Sequence, residues 1–219
     1  MKFSENTLSV LKNFSGINPS VIFKPGNVIR TISPQKTVMS AAVIDETIAS
    51  NAAVYDLSRF LATLSLFDSP DVEFKENKFA ISSDRTRVNY TYAAESMIIS
   101  PPDKDINVPN PEVNVKVNWD DIQKVIRAAS VLQLSEIAFR GDGQSVSLAA
   151  IDSKNPTADA FDVVVGDSES QFEMIIKVEN LKLMPKNYDV SLSSKGMAHF
   201  KSDKIQYWIA IEKHSKFGG

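Results

Sequence analysis

The chain contains no cysteine, which excludes disulfides, thiolate metal sites and cysteine nucleophiles and fits a reducing cytoplasm. Histidine is nearly absent too: His199 and His214 are the only two in 219 residues, and neither has a ligand-spaced partner for a metal. Glycine is scarce at eight residues, and none of them builds a phosphate loop after a strand or a GxSxG nucleophile elbow. No apolar run approaches the roughly 18 residues that a membrane-crossing helix needs. MKFSENTLSV has no long apolar stretch behind its lysine, as a signal peptide would. A basic balance, the usual mark of a nucleic-acid binder, is also missing, because 24 basic and 27 acidic side chains leave a net charge of −3. A net value conceals a sided distribution, so the placement of charge has to decide that point. The adjacent pair Asp120 and Asp121 is no acid/base dyad: helical neighbours point about 100° apart, and capping and dipole compensation account for both. These absences imply no enzyme, no metal and no cofactor.

What is present reads as α+β with many strands. Runs with one solvated face lie at 37–43, 72–74, 79–81, 87–92, 160–165, 172–177, 188–192, 199–201 and 205–211. Two hairpins are expected, 21–23 with 28–30 and 137–139 with 146–150, with Gly26, Gly141 and Gly143 at their tips. Ser4 caps a first helix to about residue 14, with Leu8, Leu11 and Phe14 inward. Asp56 caps a second, in which Leu57, Phe60, Leu61 and Leu64 form an i, i+3, i+4, i+7 stripe. Asn118 precedes a third, with Ile122, Val125, Ile126 and Ala129 on one face. VENLKLM makes a short fourth, stopped by Pro185.

Four of the ten prolines, Pro101, Pro102, Pro109 and Pro111, fall in SPPDKDINVPNPEV, which reads as an extended connector over 100–113. It separates a domain at 1–99 from one at 114–212, followed by a tail at 213–219. The halves share their order of elements at an offset of about 114 residues from Leu8 to Ile122 and about 124 from Leu57 to Leu181, the pattern of a duplication.

Charge on the helices is sorted. Acids gather in the first turns, as Glu5, Asp56, Asp120, Asp121 and Glu179, where the macrodipole favours them. Lys12, Arg59, Lys124, Arg127, Lys182 and Lys186 stand away from the apolar stripes or at helix ends. Any one of these is an ordinary solvated cation. Together they make one basic surface on an acidic protein. Trp119 and Trp208 read as core or interface aromatics, and strand alternation assigns Tyr90 and Tyr92 to a covered sheet face rather than to base stacking.

AVYDLSRFLATLSLF (53–67), WDDIQKVIRAASVLQLSEIAF (119–139) and LKLMPKNYDVSLSSKG (181–196) closely resemble segments of the sliding clamp of tailed phages. The opening MKFSENTLSVLKNF and the ending HFKSDKIQYWIAIE are similar to its two ends, while 152–160 and the tail after Glu212 match least. The resemblance implies the DNA clamp fold: two similar domains, each with two helices on antiparallel sheet, assembled as a homotrimeric ring around duplex DNA in the cytoplasm of an infected cell. It implies that the six cations above line the hole, and that Val88, Tyr90 and Tyr92 meet Phe161, Val163 and Val165 of the neighbouring subunit. Implied partners are the DNA polymerase and a clamp loader, whose peptides would dock at Val108, Pro109, Met197 and Ile211, and late-transcription proteins. The alternative from another class is a β-rich structural or assembly protein of the phage particle.

Overall fold

The structure, a computed structural model, describes residues 1–104, 106–155 and 157–218; Asp105 of the expected connector and Gly219 of the tail lie outside the described residues. The chain divides into two compact units, Met1–Lys104 and Asp105–Gly219.

In the first unit, α1 (Glu5–Ser15) starts where Ser4 turns its hydroxyl to the Thr7 amide at 3.1 Å. Val10, Leu11 and Phe14 are buried, and Leu8 is half-buried. Strands β1 (Val21–Phe23), β2 (Gly26–Ile32), β3 (Val38–Ile48) and β4 (Ala52–Val54) follow. Next comes α2 (Leu57–Leu64), capped by the Asp56 carboxylate on the Arg59 amide at 2.8 Å. Strands β5 (Asp71–Phe74), β6 (Lys78–Ser83) and β7 (Thr86–Thr91) form an antiparallel sheet in that order. Phe79 gathers Phe60, Phe74 and Tyr92 at ring-centroid distances of 4.7, 4.9 and 4.7 Å, which joins α2 to this sheet.

The expected first hairpin is corrected. β1 pairs with β4 (Val21↔Val54, Phe23↔Ala52), while β2 pairs with β3. Pro25 has no amide to close a ladder across the turn, and Gly26, at φ +114°, redirects the chain into a different pairing.

In the second unit, β8 (Val113–Val117) leads into α3 (Trp119–Val131), which buries Ile122, Val125 and Ala129. Strands β9 (Glu136–Asp142), β10 (Ser145–Ile151), β11 (Phe161–Asp167) and β12 (Gln171–Lys177) are antiparallel in the order β11-β10-β9-β12. Strands β13 (Tyr188–Ser193), β14 (Met197–Lys201) and β15 (Ile205–Ala210) continue the order of the first unit, with β8 against β13. The tail adds β16 (Lys216–Phe217) to the β12 edge. The two units repeat: helix, four strands, a helical segment, three antiparallel strands.

Two further expectations are corrected. Gly141 is not at a hairpin tip but within β9, between Val146 and Phe172. The fourth helix is only a 3-10 turn at Val178–Asn180. Pro185 disfavours helical geometry at Met184. The Met184 backbone is held instead by two tyrosines: its N–H donates to Tyr207 Oη at 3.1 Å and its carbonyl accepts from the Tyr188 hydroxyl at 2.6 Å.

Candidate nucleic-acid interface

The six cations are all exposed. Lys12 sits in the last turn of α1, where the dipole favours it. Arg59 lies in the first turn of α2, near Asp56 and the Tyr90 ring. Burial, and then the Asp56 carboxylate, raise the Tyr90 pKa, while Arg59 pulls it down. On α3, Lys124 donates to Asp121 at 3.1 Å, an i,i+3 pair, and Arg127 projects from the same side one turn on. Lys182 and Lys186 follow the 3-10 turn on non-helical backbone, so they extend from a loop and not from a fourth helix. Of these six cations, four are therefore on helices and two on a segment tied down by Tyr188 and Tyr207. Between α1 and α2 runs a mostly apolar groove of about 500 Å³, with Leu8, Leu61 and Phe67 as walls and Lys12 at its rim. This explains why Leu8 and Leu61 are only half-buried.

Among the described residues, β7 pairs only with β6 and β11 only with β10, so each leaves one edge open. The Tyr92 amide, just past β7, donates inward to the Asn77 carbonyl at 3.0 Å. Amide direction alternates along a strand, so Val88 and Tyr90 also donate toward β6, and Arg87, Asn89 and Thr91 offer theirs at the open edge. Side chains follow the same alternation. Val88, Tyr90 and Tyr92 are half-buried, with Tyr90 against Phe60 at 5.2 Å, whereas Arg87, Asn89 and Thr91 are exposed. Burial also raises the Tyr92 pKa. What this edge presents is backbone and residues 87, 89 and 91.

On β11, Phe161 is exposed and Val163 and Val165 are half-buried. The apolar side chain that stands out most there is Val164, 62% exposed, which sequence reading passed over. Three consecutive valines carry no alternation. The register against β10 also slips between Val146 and Ser147, leaving Val165 unpaired.

Ile211 borders a groove of about 290 Å³ with Met174, Gly196 and Phe217 and with Lys195, Lys213 and Lys216 on its lining. Val108, Pro109 and Met197 do not line it. Met197 lies beside it in β14, opposite Ala210, and the exposed Pro109 gives its carbonyl to the Ser193 hydroxyl. The missed wall is the C-terminal tail. Its only sequence signal was the lysine-aromatic run KHSKF.

A family model described as gp45 sliding clamp, C terminal, matches residues 112–213, and one described as DNA polymerase processivity factor matches residues 3–100. The sliding clamp of Vibrio phage KVP40 is 31% identical over 221 residues, covering 97% of this chain and 99% of that protein. The sliding clamp of Escherichia phage RB69 is 31% identical over 226 residues, covering 98% of each. In the solved complex of the C-terminal region of FEN-1 bound to A. fulgidus PCNA, the matching chain gives a TM-score of 0.71 at 13% identity, over 98% of both chains. PCNA from Thermococcus kodakaraensis gives 0.69 at 15% identity, over 96% of this chain and 98% of that one. At such identities the solved structures speak to fold, and they share this one.

Proposed function

The chain belongs to the sliding-clamp family of DNA polymerase processivity factors, and from that premise we propose that it closes with two further copies into a ring around duplex DNA and keeps the replicative polymerase on its template. The observation that carries this reading is similarity to phage sliding clamps over nearly the whole chain. The particle-protein alternative has no observation on its side.

In a ring, retention is topological, so strong phosphate binding is unnecessary and would slow sliding. Lys12, Arg59, Lys124, Arg127, Lys182 and Lys186 suit that demand: long, exposed and sparse, each gives a weak, salt-screened, sequence-independent attraction to phosphate. The open edges of β7 and β11 are suited to pair between subunits, which would remove two exposed ladders at once. The groove beside Ile211 sets Met174, Ile211 and Phe217 among three lysines and one acid, Glu212, a mixed lining suited to a short peptide carrying both apolar and acidic residues. Its occupants would be the polymerase, the clamp loader and late-transcription proteins, in the cytoplasm of the infected cell. The proline-rich stretch at 100–113 would serve as connector between domains at 1–99 and 114–212. No catalytic step is assigned to the chain.

The test is topological. Loaded onto nicked circular DNA, the protein should stay bound through a salt wash and be released when the circle is cut, and its solution mass should be about three times the 24.2 kDa chain. Equal retention on linear and circular DNA would overturn the reading.

A further inference from the structure

The two open edges differ in charge. From Asp159 to Glu169 the β11 segment carries four acids, Asp159, Asp162, Asp167 and Glu169, and no cation. All four are exposed. From Asp84 to Tyr92 the β7 segment carries two arginines, Arg85 and Arg87, against one acid, Asp84, and all three are exposed. No ion pair involves either arginine or any of the four acids among the described residues. The backbone amides of Arg87, Asn89 and Thr91 point outward from the basic edge, and Val164 stands exposed on the acidic one. An open edge with an exposed valine is a template for pairing with any strand. The charge beside it restricts the choice.

We propose that these opposite charges fix the order of assembly: the acidic β11 edge of one copy takes the basic β7 edge of the next, and like-charge repulsion bars β11 from pairing with β11 and β7 with β7. This rests on the ring reading above and adds what selects the ring. Self-pairing of either edge would be two-fold and join copies head to head, which cannot close a three-membered ring, whereas pairing unlike edges is head to tail and leaves one edge of each kind for the next copy. Repulsion against the wrong pairing is as much a source of specificity as attraction in the right one. Pairs directly across a strand junction feel both most strongly.

The experiment is a charge exchange read by sedimentation over a dilution series, with circular dichroism to verify folding. Reversing one edge, Arg85→Glu with Arg87→Glu, or Asp159→Lys, Asp162→Lys, Asp167→Lys and Glu169→Lys together, should raise the concentration at which trimers dissociate by about tenfold or more. Reversing both edges in one chain should restore the trimer, and that chain should not mix with wild type into hybrid rings. Wild-type dissociation should shift to higher concentration as salt rises. Single-edge variants as stable as wild type, or a doubly reversed chain as weak as either single one, would overturn the charge rule while leaving the ring intact. A wild-type chain that forms no trimer would overturn the ring reading, and this inference with it.

Discussion

Phe172 lies over Gly141 so closely that a Cβ on Gly141 would stand 2.3 Å from the ring's Cε1 atom. The Ser170 carbonyl would be 2.5 Å from the same Cβ, so backbone and ring crowd it together. Phe172 in turn carries Phe217 of the tail, with centroids 6.2 Å apart and planes 25° from parallel. One missing methyl in β9 therefore seats the C-terminal strand on β12.

Gly141→Ala should displace that ring and cost about 1–3 kcal/mol, the usual range for overpacking. Thermal unfolding would register the loss of stability. Hydrogen exchange should increase at 215–218 before it does in β9 or β10, because β16 is short, exposed and terminal. Unchanged exchange in the tail would mean that Phe217 holds without Phe172.

Proline at the β7 edge separates assembly from folding. Asn89 offers its amide outward, so Asn89→Pro should weaken trimers while the chain keeps its circular dichroism. Val88 donates inward to the β6 ladder, so Val88→Pro should damage the unit as well as the trimer. Sedimentation beside thermal melts would distinguish them. An Asn89→Pro trimer as stable as wild type would place the contact elsewhere.

The parts that were legible in sequence are those where one local rule dominates. Ser4 and Asp56 cap their helices as expected, because a capping oxygen needs only a donor three residues on. The stripe of Leu57, Phe60 and Leu64 is buried because helical period alone assigns the face. What failed required knowledge of distant partners. Val21 pairs with Val54, and nothing within residues 21–30 signals a partner more than 30 residues away. The fourth helix is lost to Tyr188 and Tyr207, whose hydroxyls take the backbone of Met184. Gly141 and Ile211 each acquire meaning from the tail, which sequence resemblance left out. Exposed lysines and arginines were readable as exposed, but their common surface depends on assembly.

Tyr188 makes stability depend on alkaline pH. Its side chain is buried, and burial, together with neighbouring Tyr207, pushes its pKa far above the ordinary tyrosine value of 10. The folded state thus keeps a proton that the unfolded chain releases above that pH. The contribution is fully present below pH 10 and falls as pH rises beyond it, by up to about 1.4 kcal/mol per pH unit. Tyr188→Phe should flatten this alkaline loss. At neutral pH it should cost about 1 kcal/mol, because the Met184 carbonyl loses its donor. Melting temperatures from pH 8 to 11 would test both; an equally steep alkaline decline in the variant would assign it to other groups.

The DNA-facing reading of α3 makes the strongest demand. Lys124→Ala with Arg127→Ala removes two charges from each subunit, hence about six from a trimer, and touches no buried side chain. The Lys124–Asp121 pair is exposed on the lysine side and spans a single turn, so its loss should matter little to folding. Surface changes of this kind usually stay within about 0.5 kcal/mol. What should change is the phosphate attraction, so loading and processive synthesis should weaken most as salt rises. Lys75→Ala with Lys78→Ala removes as many charges around the β5–β6 turn and should do less, although Lys75 likewise gives up an exposed partner, Glu73. Product length on primed circular DNA, with loader present and across a salt series, is the measurement. If the turn variant loses as much processivity as the helix variant, then the two are equivalent surface cations and α3 does not face DNA.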